Sequence, residues 1–490
     1  MDSEQPQPKL SPKRAYGVDL TVGSIPRHLI LFSLPLLAGN ILQTAYSFIN
    51  AIWVGNYLGV AAMAAVTNTF PVMFVLMAVG NGLTMAANIL VAQYYGAGKT
   101  DKVRLVVQTS FVLLAGLAAV CLGLGELAVG PLLKLMSAPP AVMPLAQPYL
   151  HLVLLTLPGM FGFFLLSSLL RGVGDSTTPL KFMAASVVAN AILDPLLILG
   201  LAGFPKLGLN GTAYGSIFCQ YSALLALLYY MRRKAHILAP DWKRLTIDRA
   251  MAVTTFKVGL PASVQQSLTS LGMLFVISFV NNFGETASAA FGAAMRIDQL
   301  AFLPAMAFGM SATTLVGQNI GAGHYDRVKQ VLYWGIFFCG LITLGATAVA
   351  VTGPHFLIRL FIQEPEVVEI GASYLRIVGS CYVFFAIIFI INGVINGSGH
   401  TLATTAFSLI SLWVVRVPLA AYLSECMGRV EGVFYAIAVS FTASMLVSLA
   451  YYMSGRWKRS VVRDVAVLPR EQTGPEPALE PCTEEVPCRE

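Results

Sequence analysis

Charge is scarce in this sequence. Only 11% of its 490 residues are Asp, Glu, Lys or Arg, while 56% are hydrophobic and the mean hydropathy is +0.72. An average soluble domain carries roughly a quarter charged residues, so a water-soluble globule of this length could not be coated. Residues 28–98 contain no Asp, Glu, Lys or Arg at all, and a membrane-crossing helix needs about 20 apolar residues, so this one stretch holds a pair of spans. Most soluble enzymes are excluded and a lipid bilayer is the expected surround.

Other absences narrow the reading. The seven cysteines form no paired framework: Cys121, Cys219, Cys339, Cys381 and Cys426 lie in or beside apolar runs, Cys482 and Cys488 in a polar tail, and all read as free thiols. None of the six histidines makes the two-His helical zinc pattern, and only His151 falls inside a span, so an intramembrane hydrolase has no support and no metal centre is expected. Gly98-Lys99-Thr100 imitates the end of a phosphate-binding loop, but Gln93 stands where that loop needs Gly and a long apolar helix precedes it. It reads as a tight turn in which Gly96 and Gly98 let the chain reverse, with Asp101 and Asp326 as helix caps. No nucleotide, nucleic acid or cofactor is expected, and the chain is not read as an enzyme. Residues 1–26 show no cleaved signal peptide, so the first span directs insertion.

Apolar stretches bounded by charge, Gly or Pro give twelve spans, near 28–54, 60–92, 104–130, 146–170, 179–203, 211–231, 253–281, 287–317, 328–352, 372–396, 402–425 and 432–453. Runs this long in lipid must be helices. Lys and Arg gather in the even-numbered loops (Lys99, Lys102, Arg104; Arg171, Lys181; Arg232 to Lys234; Arg327, Lys329) and at both membrane-proximal termini, which puts both termini in the cytoplasm. The net charge of +7 is thereby explained by topology. The expected organisation is a polar segment 1–27, a first lobe 28–231, a basic connector 232–252, a second lobe 253–453 and a disordered cytoplasmic tail 454–490.

What is present in abundance is repetition. VAQYYGAGKTDKVR (91–104) returns as VGQNIGAGHYDRVK (316–329), pairing Gln93 with Gln318, Gly96 with Gly321 and Asp101 with Asp326. Tyr149-Leu150 and Tyr374-Leu375 repeat at the same offset, and Pro35 and Pro261 at nearly the same. The fold class expected is all-α integral membrane: twelve helices in two six-helix lobes related by a pseudo-two-fold along the membrane normal, the parallel-repeat architecture of secondary transporters.

Ionisable residues inside apolar runs are functional candidates by default. Asp194 lies in VVANAILDPLLIL (187–199), with Asn190 one turn earlier and Pro195 loosening the adjacent turn. A carboxylate that charges and discharges as water enters is a coupling device. Arg296 and Asp298 open the eighth run on different faces; Asp298 reads either as a second cavity carboxylate or as half of a structural pair within the lobe. Arg416 precedes Pro418 in the segment repeating Asp194-Pro195. Gln43 and Asn50 in span one, and Gln265 and Gln266 in span seven, are expected to face a cavity between lobes, with Pro35 and Pro261 bending those helices.

Together, LPLLAGNILQTAYSFINAIWVGNYLG (34–59), VAQYYGAG (91–98), RGVGDSTTP (171–179), NAILDP (190–195) and GQNIGAG (317–323) resemble the multidrug and toxic compound extrusion family, in its prokaryotic DinF-like branch, over roughly residues 25–455. The resemblance implies a V-shaped cavity and export of small amphipathic, often cationic compounds in exchange for H⁺ or Na⁺, by a protein of the cell inner membrane acting as a monomer. It also places an ion-coupling cluster on Asn190, Asp194 and Thr212, and the bending proline on Pro35. The family usually carries an Asp in the first helix where this chain has Asn50, which cannot titrate. Asp194 is then left as a lone carboxylate that either takes a proton or ligates Na⁺, with Asn50 as a neutral partner. The other transporter reading is a flippase for lipid-linked oligosaccharides.

Overall fold

The computed structural model describes residues 17–135, 142–201, 203–234, 236–240 and 246–458. Its helices, in chain order, are α1 (Ile25–Gly59), α2 (Ala61–Gly96), α3 (Thr100–Leu135), α4 (Met143–Leu154 and Leu157–Gly172, bent by 41°), α5 (Thr177–Leu199) and α6 (Leu209–Arg233). After the connector come α7 (Arg249–Asn281), α8 (Glu285–Gly321), α9 (Tyr325–Thr352), α10 (Pro365–Gly397), α11 (Thr401–Met427) and α12 (Glu431–Met453). No strand occurs among the described residues.

Ten of these helices are long and apolar enough to cross a bilayer alone, and the bent α4 pair makes an eleventh. The twelfth, α6, has the length but carries Asn210, Thr212, Ser216, Gln220 and Tyr221. Those polar residues are buried or half-buried, turned away from lipid, while Phe218, Leu225 and Tyr229 are exposed. The all-α, two-lobe class is therefore as expected, and the helices overrun the sequence-derived limits at most ends. The 60–92 span begins where Gly59 leaves helical geometry at φ +80°, a conformation that only glycine adopts freely. Gly98 (φ +73°) and Gly323 (φ +79°) likewise turn the chain after α2 and α8. Gly96 and Gly321 are instead the last helical residues of α2 and α8, where they serve close packing. Asp101 and Asp326 stand within the first turns of α3 and α9 rather than capping them, where their charge still favours the helix N-terminus.

Apolar packing forms one large core in the first lobe, from α1 to α6, and a second around α8 to α12. Hydrogen bonds that cross between lobes run from mid-membrane, at Val79 and Ser263, to the end of the bundle where α2 and α8 terminate. Asn88 Nδ2 meets Thr314 Oγ1 at 3.3 Å, Ser263 Oγ donates to Val79 O at 3.0 Å, Gln93 Nε2 to Gly397 O at 2.8 Å and Gln318 Nε2 to Gly172 O at 2.9 Å. Gln93 and Gln318 are repeat equivalents, as are their acceptors, so the seam itself is two-fold. The glycines explain how close it is: a Cβ on Gly96 would stand 2.7 Å from the Gln318 carbonyl carbon, and one on Gly321 2.8 Å from that of Gln93.

Within residues 17–24, just ahead of α1, Leu20 and Thr21 are buried. The connector is also partly packed: Ile237 and Leu238 join the first-lobe core, and Asp248 caps α7 by accepting from Met251 N at 2.7 Å. Cys121, Cys219, Cys339, Cys381 and Cys426 are free. Cys482, Cys488 and the tail from residue 459 lie outside the described residues.

Candidate functional site

The pairing of α5 with α6 begins from two glycines. Gly211 and Gly215, four residues apart on one face of α6, let backbones approach as small residues do in membrane helix pairs. A Cβ at Gly211 would stand 2.8 Å from Leu197 C, and one at Gly215 would stand 2.9 Å from Asp194 Oδ1. The lack of side chains there is what brings the α6 backbone against the carboxylate.

Asp194 is 0% exposed, Asn190 2% and Thr212 0%. With its amide oriented by its neighbours, Asn190 donates from Nδ2 to Asp194 Oδ2 at 2.9 Å, and its Oδ1 accepts from Ser216 N at 3.3 Å. Ser216 Oγ lies 2.8 Å from the Tyr46 hydroxyl of α1, and Thr212 Oγ1 donates to Leu209 O at 2.9 Å. The phenols of Tyr46 and Tyr149 both lie within electrostatic reach of the carboxylate, and Tyr149 faces Thr212. A cleft of about 30 Å³ opens beside this cluster, lined by Gln43, Tyr46, Ser186, Asn190, Ser216 and Gln220 among others. That volume holds a water molecule. The ion pairs among the described residues (His151 with Glu126, Lys329 with Asp326, His355 with Glu369) leave Asp194 out. The cluster thus presents one wholly buried carboxyl with an amide, hydroxyls and phenols around it and no cation to neutralise it.

The structure therefore brings together Asp194, Asn190 and Thr212, and adds Tyr46, Tyr149 and Ser216, none of which the sequence marks as a site residue. For Ser216 the indirect signal was the Gly211/Gly215 spacing, which fixes the α5–α6 register, with Ser216 one turn after Thr212; nothing in the sequence marks the two tyrosines. Gln43 lines the cleft. Asn50 lies one turn beyond Tyr46 on the same face of α1, its Oδ1 buried without a partner, and no hydrogen bond joins it to Asp194. Pro35 and Pro261 sit inside helices that continue past them.

The second lobe is built differently. Asp298 is 8% exposed, with Oδ2 accepting from the Tyr374 hydroxyl and Oδ1 from the Tyr382 hydroxyl, both at 2.5 Å. Arg416 lies within its field, donates from Nε to Ser440 Oγ at 2.7 Å and covers the Phe441 ring at 4.8 Å. It ends a π-helical stretch, Ile410–Arg416, just before Pro418, where the missing proline donor disturbs the regular ladder. Arg296 is exposed and 6.0 Å from the Phe361 ring, on another face from Asp298. Gln265 turns into its own lobe, donating to Ser408 Oγ at 2.6 Å, while Gln266 is exposed. His151 is met by Glu126 of α3, an acid inside an apolar run that the sequence reading passed over. Among the described residues no group of three or more His, Cys, Asp or Glu could hold a metal ion.

Known proteins share this plan. The MatE family model matches twice, over residues 35–196 and 261–422, which is the internal duplication seen from outside. The probable multidrug resistance protein YoeA of Bacillus subtilis is 33% identical, covering 90% of this chain and 96% of that protein. The probable multidrug resistance protein NorM of Thermotoga maritima is 26% identical, over 92% and 96%. A solved outward-facing multidrug resistance MATE family transporter of the MOP superfamily superposes with TM-score 0.83 at 22% identity, over 90% and 97%, and a MATE protein in its bent conformation with TM-score 0.84, over 91% and 98%. With one family model matched in both lobes and near full-length relatives at 33% identity, the chain belongs to the multidrug and toxic compound extrusion (MATE) family of membrane transporters.

Proposed function

We propose that the protein is an antiporter that exports amphipathic, cationic compounds in exchange for H⁺ or Na⁺, and that Asp194 carries the exchanged ion. The observation that carries the reading is the isolation of Asp194: a fully buried carboxyl with no cationic partner. A buried bare charge is costly, so when water withdraws the group must hold a proton or a metal cation. When water enters from the other side it can release it. Asn190, Thr212, Ser216 and the two phenols offer oxygen atoms and donors suited to either state. Ion and substrate couple if each stabilises a different access state, and this coupling is reciprocal.

The motif-bearing ends of α2 and α8, next to the Lys- and Arg-rich loops, are assigned to the cytoplasm, with both termini, in the cell membrane of the host. The seam there is closed, so the arrangement is read as outward-open. Asn50 cannot take up a proton, and the switch in the first lobe then rests on one carboxylate, with Asn50 as a neutral partner one turn from Tyr46. Asp298, held by two tyrosines, is assigned to holding α8 against α10. A flippase for lipid-linked diphosphates would call for free cavity cations, but Arg416 is turned to Ser440 and Phe441.

The test is dye efflux from proteoliposomes under imposed proton or sodium gradients. The wild type is expected to respond to one of them, and Asp194→Asn to lose gradient-driven efflux while eluting as a folded protein. Full efflux by that variant would refute the assignment.

A further inference from the structure

The residues just ahead of α1 tie the two lobes together at the closed seam. Leu20 is 1% exposed and Thr21 4%. Leu20 N donates to Gln318 Oε1 at 3.1 Å, while Leu20 O accepts from Asn319 Nδ2 at 3.2 Å and Arg327 Nη2 at 3.3 Å. Gly23 O accepts from Arg327 Nη1 at 3.0 Å, and Arg327 is itself steadied by Asn319 Oδ1 at 2.9 Å. These partners all belong to the second lobe, yet the segment leads directly into the first helix of the first. Its other end is wedged against the turn after α4. A Cβ at Gly17 would meet Val173 within 3.1 Å, and one at Gly174, itself at φ +90°, would meet the Val18 backbone.

Of the two repeat-related glutamines, Gln318 is the one this tie engages. Gln93 and Gln318 make equivalent seam bonds through their nitrogens, but their oxygens differ. Gln318 Oε1 accepts from Leu20 N, whereas Gln93 Oε1 is buried with no partner. Gln318 thus holds the seam through its nitrogen and the strap through its oxygen, so the strap weighs on the equilibrium of the seam.

We propose that residues 17–24 act as a cytoplasmic latch, whose bonds to Gln318, Asn319 and Arg327 form only while the inner ends of the lobes are together. The latch sets the ratio of outward- to inward-open protein and is released in each cycle. This rests on the alternating-access reading above, although it does not depend on which ion is exchanged. Arg327 supplies the strongest part, since a charged donor to carbonyls exceeds a neutral one.

The experiment measures distance distributions between spin labels at positions 57 and 282, on the outer ends of α1 and α7, in full-length protein in lipid nanodiscs without any gradient. Arg327→Gln and Leu20→Ala are each expected to raise the population closed on the outside by roughly fivefold or more, the range of a typical coupling energy. Lys329→Gln, which removes an exposed ion pair with Asp326, is the control and is expected to leave the distribution unchanged. Leu20→Ala truncates one side chain and keeps every backbone bond site, so it guards against misfolding of the arginine variant. An unchanged distribution in either folded variant overturns the latch. A failure of ion-driven efflux in the wild type would instead strike the transport reading and leave this measurement standing.

Discussion

Adding one methyl group to the seam should tilt the transporter. In Gly96→Ala the new Cβ would stand 2.7 Å from the Gln318 carbonyl carbon, whereas ordinary contact begins near 3.4 Å. The obstacle is backbone, not a side chain that can swing aside, so α8 must retreat by about 0.7 Å or more. The Asn88–Thr314 bond, already 3.3 Å, then leaves hydrogen-bonding range, and the Gln318–Gly172 bond at 2.9 Å stretches past its usual limit. At ~0.5–1.5 kcal/mol for each net bond, losing both favours the open seam by on the order of 1–3 kcal/mol, a factor of roughly 5–150. Gly321→Ala should do the same from the other side. Hydrogen–deuterium exchange of residues 86–97 and 314–323 in nanodiscs reads the effect as faster exchange in both segments. Helix propensity alone points the other way, since Ala exceeds Gly by about 1 kcal/mol in a helix. Unchanged or slower exchange in both variants would therefore refute the steric reasoning.

Three further outcomes are expected. Gly59→Ala places a side chain in open space but at φ +80°, so its cost is conformational, roughly 1–2 kcal/mol, and thermal unfolding should show a lowered midpoint with efflux retained. Tyr382→Phe leaves Asp298 Oδ1 without its donor and should destabilise the second lobe by about 1–3 kcal/mol, read by the same melt, while gradient-driven efflux persists in the protein that remains folded. Asn50→Asp adds a carboxyl one turn from Tyr46 and is expected to raise the number of cations exchanged per substrate, measured as a shifted reversal potential in proteoliposomes; an unchanged potential would count against Asn50 facing the cavity.

Much of this was legible in the residues. The charge-free stretch 28–98 and the recurring Q-x-x-G-A-G strings disclose the spans and the duplication, because lipid tolerates so little variety in what crosses it. Asp194 with Asn190 is visible because a carboxylate four residues from an amide in an apolar run has few structural reasons to exist. The phenols were not: Tyr46 and Tyr149 are ordinary residues on long helices until the α5–α6 approach is fixed in space. Gly96 was assigned to a turn because Gly98 follows it, and only the crossing of α2 over α8 separates their roles. Gln265 was expected in the cavity, yet a polar side chain on a membrane helix has two dry ways to be satisfied, and Ser408 of its own lobe provided the nearer. The strap at Leu20 was hidden for a similar reason. Its own sequence is short, and the groups that hydrogen-bond to it are 298 and more residues away.

The most direct measurement is the count of ions released when substrate binds to purified protein in detergent, with a pH dye for protons and a sodium-sensitive probe for Na⁺. One cation is expected to leave the wild type for each monovalent cationic substrate bound, and none to leave Asp194→Asn. Equal release from the two proteins would contradict the claim that this carboxyl is where the ion sits.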